Sequence, residues 1–168
     1  LMMGNIFVRE ISRAFKGTKK QMLQAEVAAL NRSANTALSR TMKFIRQKYS
    51  IKLKDLKDQT IVEKANKNKP RVRIIVTDKG IGLILFTATQ TKKGVKATQQ
   101  KGKRKLYEQT FIAQMKSGHK GVFKRTTKKR LPIKELYGPS AMQLFSSKQA
   151  QAELERVFYE RLEIEMGY

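Results

Sequence analysis

The chain has 168 residues, with 37 Lys plus Arg against 13 Asp plus Glu, a formal net charge of +24. It holds no cysteine and a single histidine, His119. Disulfides, thiolate metal sites, cysteine nucleophiles and multi-histidine metal centres are therefore excluded, and a Ser-His-Asp hydrolase is disfavoured. Such a cationic excess implies a polyanionic neighbour: nucleic acid, an acidic protein or a membrane surface.

The length suits one domain, here expected over 1–168, and buries enough surface to fold without disulfides or metals. The longest apolar run, Ile81 to Phe86, falls far short of the roughly 20 residues that a spanning helix needs. The stretch from Leu1 to Val8 lacks a basic segment before its apolar part and soon meets Arg9 and Glu10. It reads as no signal peptide, and synthesis and assembly in a cytoplasm are the expectation.

The charge is unevenly spread. Residues 1–91 carry 19 basic and 6 acidic side chains, residues 92–130 carry 14 and 1, and residues 131–168 carry 4 and 6. The middle 39 residues thus hold as much net charge as the first 91, and the last part has the opposite sign. A domain under no special pressure intersperses its signs.

In chain order, residues 19–49 predict one long helix. Leu23, Val27, Leu30, Ala34, Leu38, Met42, Ile45 and Tyr49 recur at steps of three and four with no Gly or Pro between them. Its length of about 46 Å exceeds the width of a small domain. Part of it is expected to contact a neighbouring subunit, the rest to lie across a sheet. Ala25, Ala28, Ala29, Ser33 and Ala37 allow another element to approach closely. Residues 51–59 predict a short helix capped by Ser50, with Asp55 and Asp58 on an exposed, ion-paired face beside Lys52, Lys54 and Lys57.

The period then changes. Residues 60–65 and 71–77 predict a hairpin around Asn66-Lys67-Asn68-Lys69-Pro70, followed by a short apolar strand over 81–87. Residues 88–105 are Lys, Gln, Thr and Gly with little apolar surface, and predict a mobile basic hairpin arm. Strands follow at 110–115 and 122–125, joined by a glycine-rich turn. Pro132 and Pro139 keep 131–140 extended, and Ser140 is placed to cap a final helix over 141–165. That helix ends in Glu160, Glu163 and Glu165, against its own dipole, and frays unless something basic meets it. The fold class is α+β: a long N-terminal helix packed on a small antiparallel sheet spanning 60–126, with the basic arm and a C-terminal helix.

No catalytic grouping stands out. His119 has no carboxylate near it in sequence and reads as a turn or interface histidine. No phosphate-binding glycine loop occurs, and the acids are too sparse for a metal-dependent nuclease, of which Asp55 and Asp58 would be the only visible remnant. No cofactor, metal or small-molecule substrate is expected.

The strongest feature is cationic. Lys92, Lys93, Lys96, Lys101, Lys103, Arg104 and Lys105 form one group, and Lys124, Arg125, Lys128, Lys129 and Arg130 another. Lysine dominance suits delocalised phosphate attraction more than base reading, and the thin aromatic content (Tyr107, Phe111, Phe123) argues against stacking on single strands. A solvated run that only aids solubility is the plainer alternative.

Two strings carry a resemblance. They are Thr110-Phe111-Ile112-Ala113-Gln114-Met115-Lys116-Ser117-Gly118-His119-Lys120-Gly121-Val122-Phe123-Lys124-Arg125, and Lys129-Arg130-Leu131-Pro132-Ile133-Lys134-Glu135-Leu136-Tyr137-Gly138-Pro139-Ser140. With Ala29-Leu30-Asn31-Arg32-Ser33-Ala34-Asn35-Thr36-Ala37 and Lys64-Ala65-Asn66 upstream, the chain resembles the bacteriophage minor tail protein Z family over about 20–140. The resemblance implies a virion structural protein at the head-proximal end of the tail. It would act in tail completion and head–tail joining as a subunit of a ring, six-fold by expectation, beside other tail and neck proteins. The two cationic groups would then face DNA or an acidic neighbour. Rival readings are a free sequence-independent nucleic-acid-binding protein, a nuclease and a membrane-active basic protein.

Overall fold

The computed structural model describes residues 7–12 and 20–166. Its first half runs β1 (Phe7–Ser12), α1 (Lys20–Lys48), α2 (Leu53–Lys57), β2 (Thr60–Glu63), β3 (Arg71–Val76), β4 (Gly80–Gly82) and a 3₁₀ turn (Leu83–Leu85). Its second half runs β5 (Thr89–Thr91), β6 (Gly94–Gln100), β7 (Lys103–Glu108), β8 (Thr110–Gln114), β9 (Lys120–Arg125), β10 (Ile133–Glu135), β11 (Tyr137–Ser140), α3 (Ala141–Phe145) and α4 (Lys148–Met166). The class is α+β, as the periodicities predict.

The apolar stripe of α1 is buried through Leu30, Ala34, Leu38, Met42 and Ile45. Beside it a row of smaller side chains, Ala29, Ser33, Ala37 and Thr41, is equally closed to water. These let α4 lie close along α1 and bring in Leu154, Val157, Phe158 and Leu162. The two helices are antiparallel. Arg32 Nε meets Glu165 Oε2 at 2.7 Å near one end, and Lys48 bonds Gln149 near the other. Arg32 is thus the basic group that the acidic end of α4 calls for.

The predicted single C-terminal helix is two helices. Ser140 does cap, but it caps α3: its Oγ accepts from Gln143 N at 3.2 Å, and Gln143 Oε1 accepts from Ser140 N at 3.1 Å. Ser147 then donates its hydroxyl to Leu144 O (3.2 Å) and accepts from Ala150 N (3.3 Å), closing one helix and opening the next. Ser50 does not cap α2. Its hydroxyl pairs with Thr87 Oγ1 at 2.7 Å, and Lys52 stands at the N-cap without a side-chain bond.

β2 and β3 form the expected hairpin, and β1 adds to the other edge of β3 along its whole length. Val72, Ile74 and Val76 alternate inward against α1. A side-chain clamp fixes α1 to the end of this hairpin. Asn31 Nδ2 donates to Ala65 O at 3.0 Å and Asn31 Oδ1 accepts from Ala65 N at 2.8 Å, imitating one rung of a ladder.

The predicted strand over 81–87 is corrected. Only Gly80–Gly82 is strand, paired with β11, and the 3₁₀ turn follows. Leu83 opens the 3₁₀ turn, and Phe86 follows it as the C-cap residue with φ −97° and ψ 49°. Leu83 and Phe86 are fully buried, but in different cores: Leu83 joins Val95, Ala97 and Val122, and Phe86 joins the helical core.

The segment 88–105 has more anchorage than its composition suggested. It makes the three-stranded sheet β5–β6–β7, and Val95 and Ala97 on β6 are completely buried. Two residues suffice because the 3₁₀ turn and β9 supply the other side of that small core. The backbone of its charged tip is bonded to the end of α1, and its side chains are exposed. Gly94, at φ +149°, lies where a Cβ would stand 2.1 Å from Tyr107 O, so the ladder closes only over glycine. The remaining sheet, β8–β9–β10, is antiparallel as expected.

Candidate functional site

All twelve predicted cationic contacts are exposed, and none has a carboxylate partner among the described residues. Their grouping differs from their order in the chain. Lys92 and Lys93 sit in the β5–β6 turn, where Lys93 O accepts from Gln109 N at 3.2 Å. The next residue, Thr110, pairs with Lys124 on β9. The 92–93 turn therefore borders Lys124, Arg125 and the loop that carries Lys128, Lys129 and Arg130.

Lys101, Lys103, Arg104 and Lys105 lie at the far end of the β6–β7 hairpin, about 20 Å along the strand. There they meet the end of α1: Lys101 N donates to Lys48 O at 2.8 Å. A cleft of about 520 Å³ is lined by Lys103, Lys105, Tyr49, Gln99, Gln100 and Gln143. Lys48 and the glutamines were missed by sequence reasoning because they come from three separated segments. Lys96 stands alone on the outer face of β6, opposite Leu106. Two of the twelve predicted cations rest on aromatic faces, Lys105 over Tyr107 and Arg125 over Phe111, and Lys48 rests likewise over Phe44, each at 5.4 Å from the ring centroid.

His119 has the carboxylate that its sequence neighbours lack. Its Nε2 lies 2.9 Å from Glu135 Oε1, and Glu135 Oε2 accepts from the Tyr137 hydroxyl at 2.9 Å. That hydrogen bond, aided by burial and the carboxylate charge, raises the Tyr137 pKa above its ordinary value. Glu135 can reach across because Gly121 leaves space: a Cβ there would stand 2.6 Å from Oε1. The three side chains clasp β9, β10 and β11 together.

Asp55 and Asp58 do not make the expected ion-paired face. No cation lies within ion-pair distance of either among the described residues, although Lys54 and Asp58 stand four positions apart. They line, with His119, Glu135 and Tyr137, a cleft of about 320 Å³. Among the described residues no group of three or more His, Asp or Glu is placed to hold a metal ion. Among them too, no helix is long and apolar enough to cross a membrane.

The comparisons with known proteins decide the family. The family model described as prophage minor tail protein Z (GPZ) matches residues 10–168. This chain belongs to that family. The tail completion protein of Escherichia phage N15 is 28% identical over 134 residues, which cover 76% of this chain and 73% of that one. No solved structure matches.

In this minor tail protein Z chain the strings that carried the resemblance coincide with structural devices. Asn31 and Ala65 make the clamp between α1 and the hairpin. His119, Gly121, Glu135 and Tyr137 make the clasp. Ser140 Oγ, besides capping α3, donates to Asp78 Oδ1 at 2.6 Å.

Proposed function

We propose that this chain is a structural component of the phage tail, a tail completion or neck protein at the head-proximal end, needed for head–tail joining. The family match over 10–168 and the name of its N15 relative support this reading. It sits in the virion as a subunit of a ring, with other tail and neck proteins as neighbours, and it turns over no substrate. Its two exposed cationic groups meet a fixed polyanion: phage DNA, contacted without regard to sequence, or an acidic neighbouring ring. The observation that carries this part is that none of them has a carboxylate partner among the described residues. Attraction to phosphates by unpaired lysines on a rigid strand pair needs no further apparatus.

The test reverses the charge of Lys101, Lys103, Arg104 and Lys105. These side chains are exposed, so the monomer still folds, and relief of cationic repulsion leaves its melting temperature no lower than before. The yield of infectious particles falls, with heads and tails that do not join. Normal yield would reject the role of the hairpin tip. Tight DNA binding by the isolated monomer at physiological salt would instead favour a free nucleic-acid-binding protein. In a ring, strong binding arises only when many weak sites act together.

A further inference from the structure

The cleft beside the clasp is exceptional in a chain of net charge +24. Three carboxylates line it, Asp55, Asp58 and Glu135, together with Lys79 and Lys120. Four other surface clefts are lined by Lys, Arg and neutral side chains, with no carboxylate. One oxygen, Asp55 Oδ2, is shut off from solvent with no hydrogen-bond partner. The cleft is also apolar: Ile81 and Ile84 line it, and at its rim Leu85 is 40% and Tyr137 52% exposed. Water is a poor occupant for such a rim.

A complementary feature lies elsewhere on the same molecule. The loop 126–131 carries Lys128, Lys129 and Arg130, and ends in Leu131, whose 65% exposure is the greatest of any large apolar side chain described. Thr126 N and Oγ1 both donate to Pro132 O, at 3.2 and 3.1 Å, so the base of the loop is closed and its cations and Leu131 project. The loop leaves β9 at Arg125, whereas the cleft adjoins the other end of β9 at His119 and Lys120. Five residue steps of strand separate them by about 17 Å. Pairing of β9 with β10 holds the loop at its own end, so it cannot fold back into its own cleft.

We propose that the 126–131 loop of one copy seats in the Asp55–Asp58–Glu135 cleft of the next copy. Leu131 covers Ile84 and Leu85, and Lys128, Lys129 and Arg130 approach the carboxylates; in the ring these three serve the subunit contact, and the hairpin tip with Lys92, Lys93, Lys124 and Arg125 is left for the polyanion. Two different patches are used, one at each end of β9, so the contact is head-to-tail and propagates from copy to copy until the rotation closes a ring. This rests on the ring reading above and names its contact. A loop in a small cleft is weak singly, so free chains associate only when concentrated or gathered on a tail.

The absence of cysteine makes a disulfide trap specific. The full chain carrying both Leu131→Cys and Leu85→Cys is oxidised at high concentration in solution and, separately, in assembled particles. The expected result is a ladder of linked multimers, whereas either single variant stays monomeric, because the contact sets position 131 of one copy against position 85 of the next and the single variants have no second thiol there. Adding Asp55→Lys and Asp58→Lys weakens the ladder about tenfold, and adding Lys128→Glu and Lys129→Glu to that chain restores it. Asp58→Lys alone serves if the double change lowers the melting temperature. Absence of a ladder in both settings, or a ladder indifferent to these charges, overturns the docking. If such particles still hold several copies of the chain, the ring reading survives that failure; a single copy per particle removes both.

Discussion

Glu135 shows how much one side chain can organise. It is mostly buried, between a histidine and a tyrosine that each spend a hydrogen bond on it. The bond to Glu135 keeps the proton on Tyr137 above the usual tyrosine range near 10, and burial does the same for Tyr107. The folded chain therefore holds protons that the unfolded chain releases around pH 10. Both tyrosines contribute their full stability below that pH, and lose it as the pH rises through their raised values. Melting curves from neutral to strongly alkaline solution check this. Tyr137→Phe flattens part of the alkaline fall, and the Tyr107 share persists. Tyr137 lies only two positions from Glu135, but His119, 16 positions away, could not be read from sequence spacing as its partner. Asn31 is similar: it looked like one polar residue in a helix, and only the fold sets it against the Ala65 backbone.

At the scale of elements, periodicity predicted what periodicity can reach. The stripe on α1 and the alternation on β3 both follow from side chains that repeat in step with the backbone. It failed where a few residues serve two cores at once. Leu83 and Phe86 look like part of an apolar strand because sequence alone does not say that they point into separate interiors. The segment 88–105 looked unsupported because its partner surface comes from the 3₁₀ turn and β9. The final helix looked continuous because Ser147 is tolerable inside a helix until its hydroxyl bonds to the backbone on both sides. The cationic residues were all legible from composition, but their regrouping about Gln109–Thr110 and the end of α1 was not. A specific expectation follows for β6. Val95→Ala removes fully buried methyl groups from a core of four buried residues and costs about 2 kcal/mol. Hydrogen exchange should rise first in β5, β6 and β7, with the α1–α4 pair still protected. Uniform acceleration across the chain would show that the two cores do not open separately.

At the scale of the whole molecule, exposed cations without partners repel one another, and the fold tolerates this instead of relieving it. Added salt screens that repulsion, so the melting temperature of the free chain should rise with salt. Affinity for any polyanion should fall over the same range. Opposite salt slopes for stability and for binding, measured on one preparation, are the expected pattern; parallel slopes would mean that the exposed charge is not what governs either.

The 3₁₀ turn joins these scales mechanically. One end is riveted by Leu83 under the charged hairpin, the other by Phe86 among the helices, and Phe86 O also takes a hydrogen bond from Thr98 N at 3.0 Å. Close-packed interiors yield little under load. A pull on the lysine-bearing tip is consequently shared between the Lys101–Lys48 bond at the end of α1 and the path along β6 through the 3₁₀ turn, and the helical half of the molecule resists it as ballast at both points.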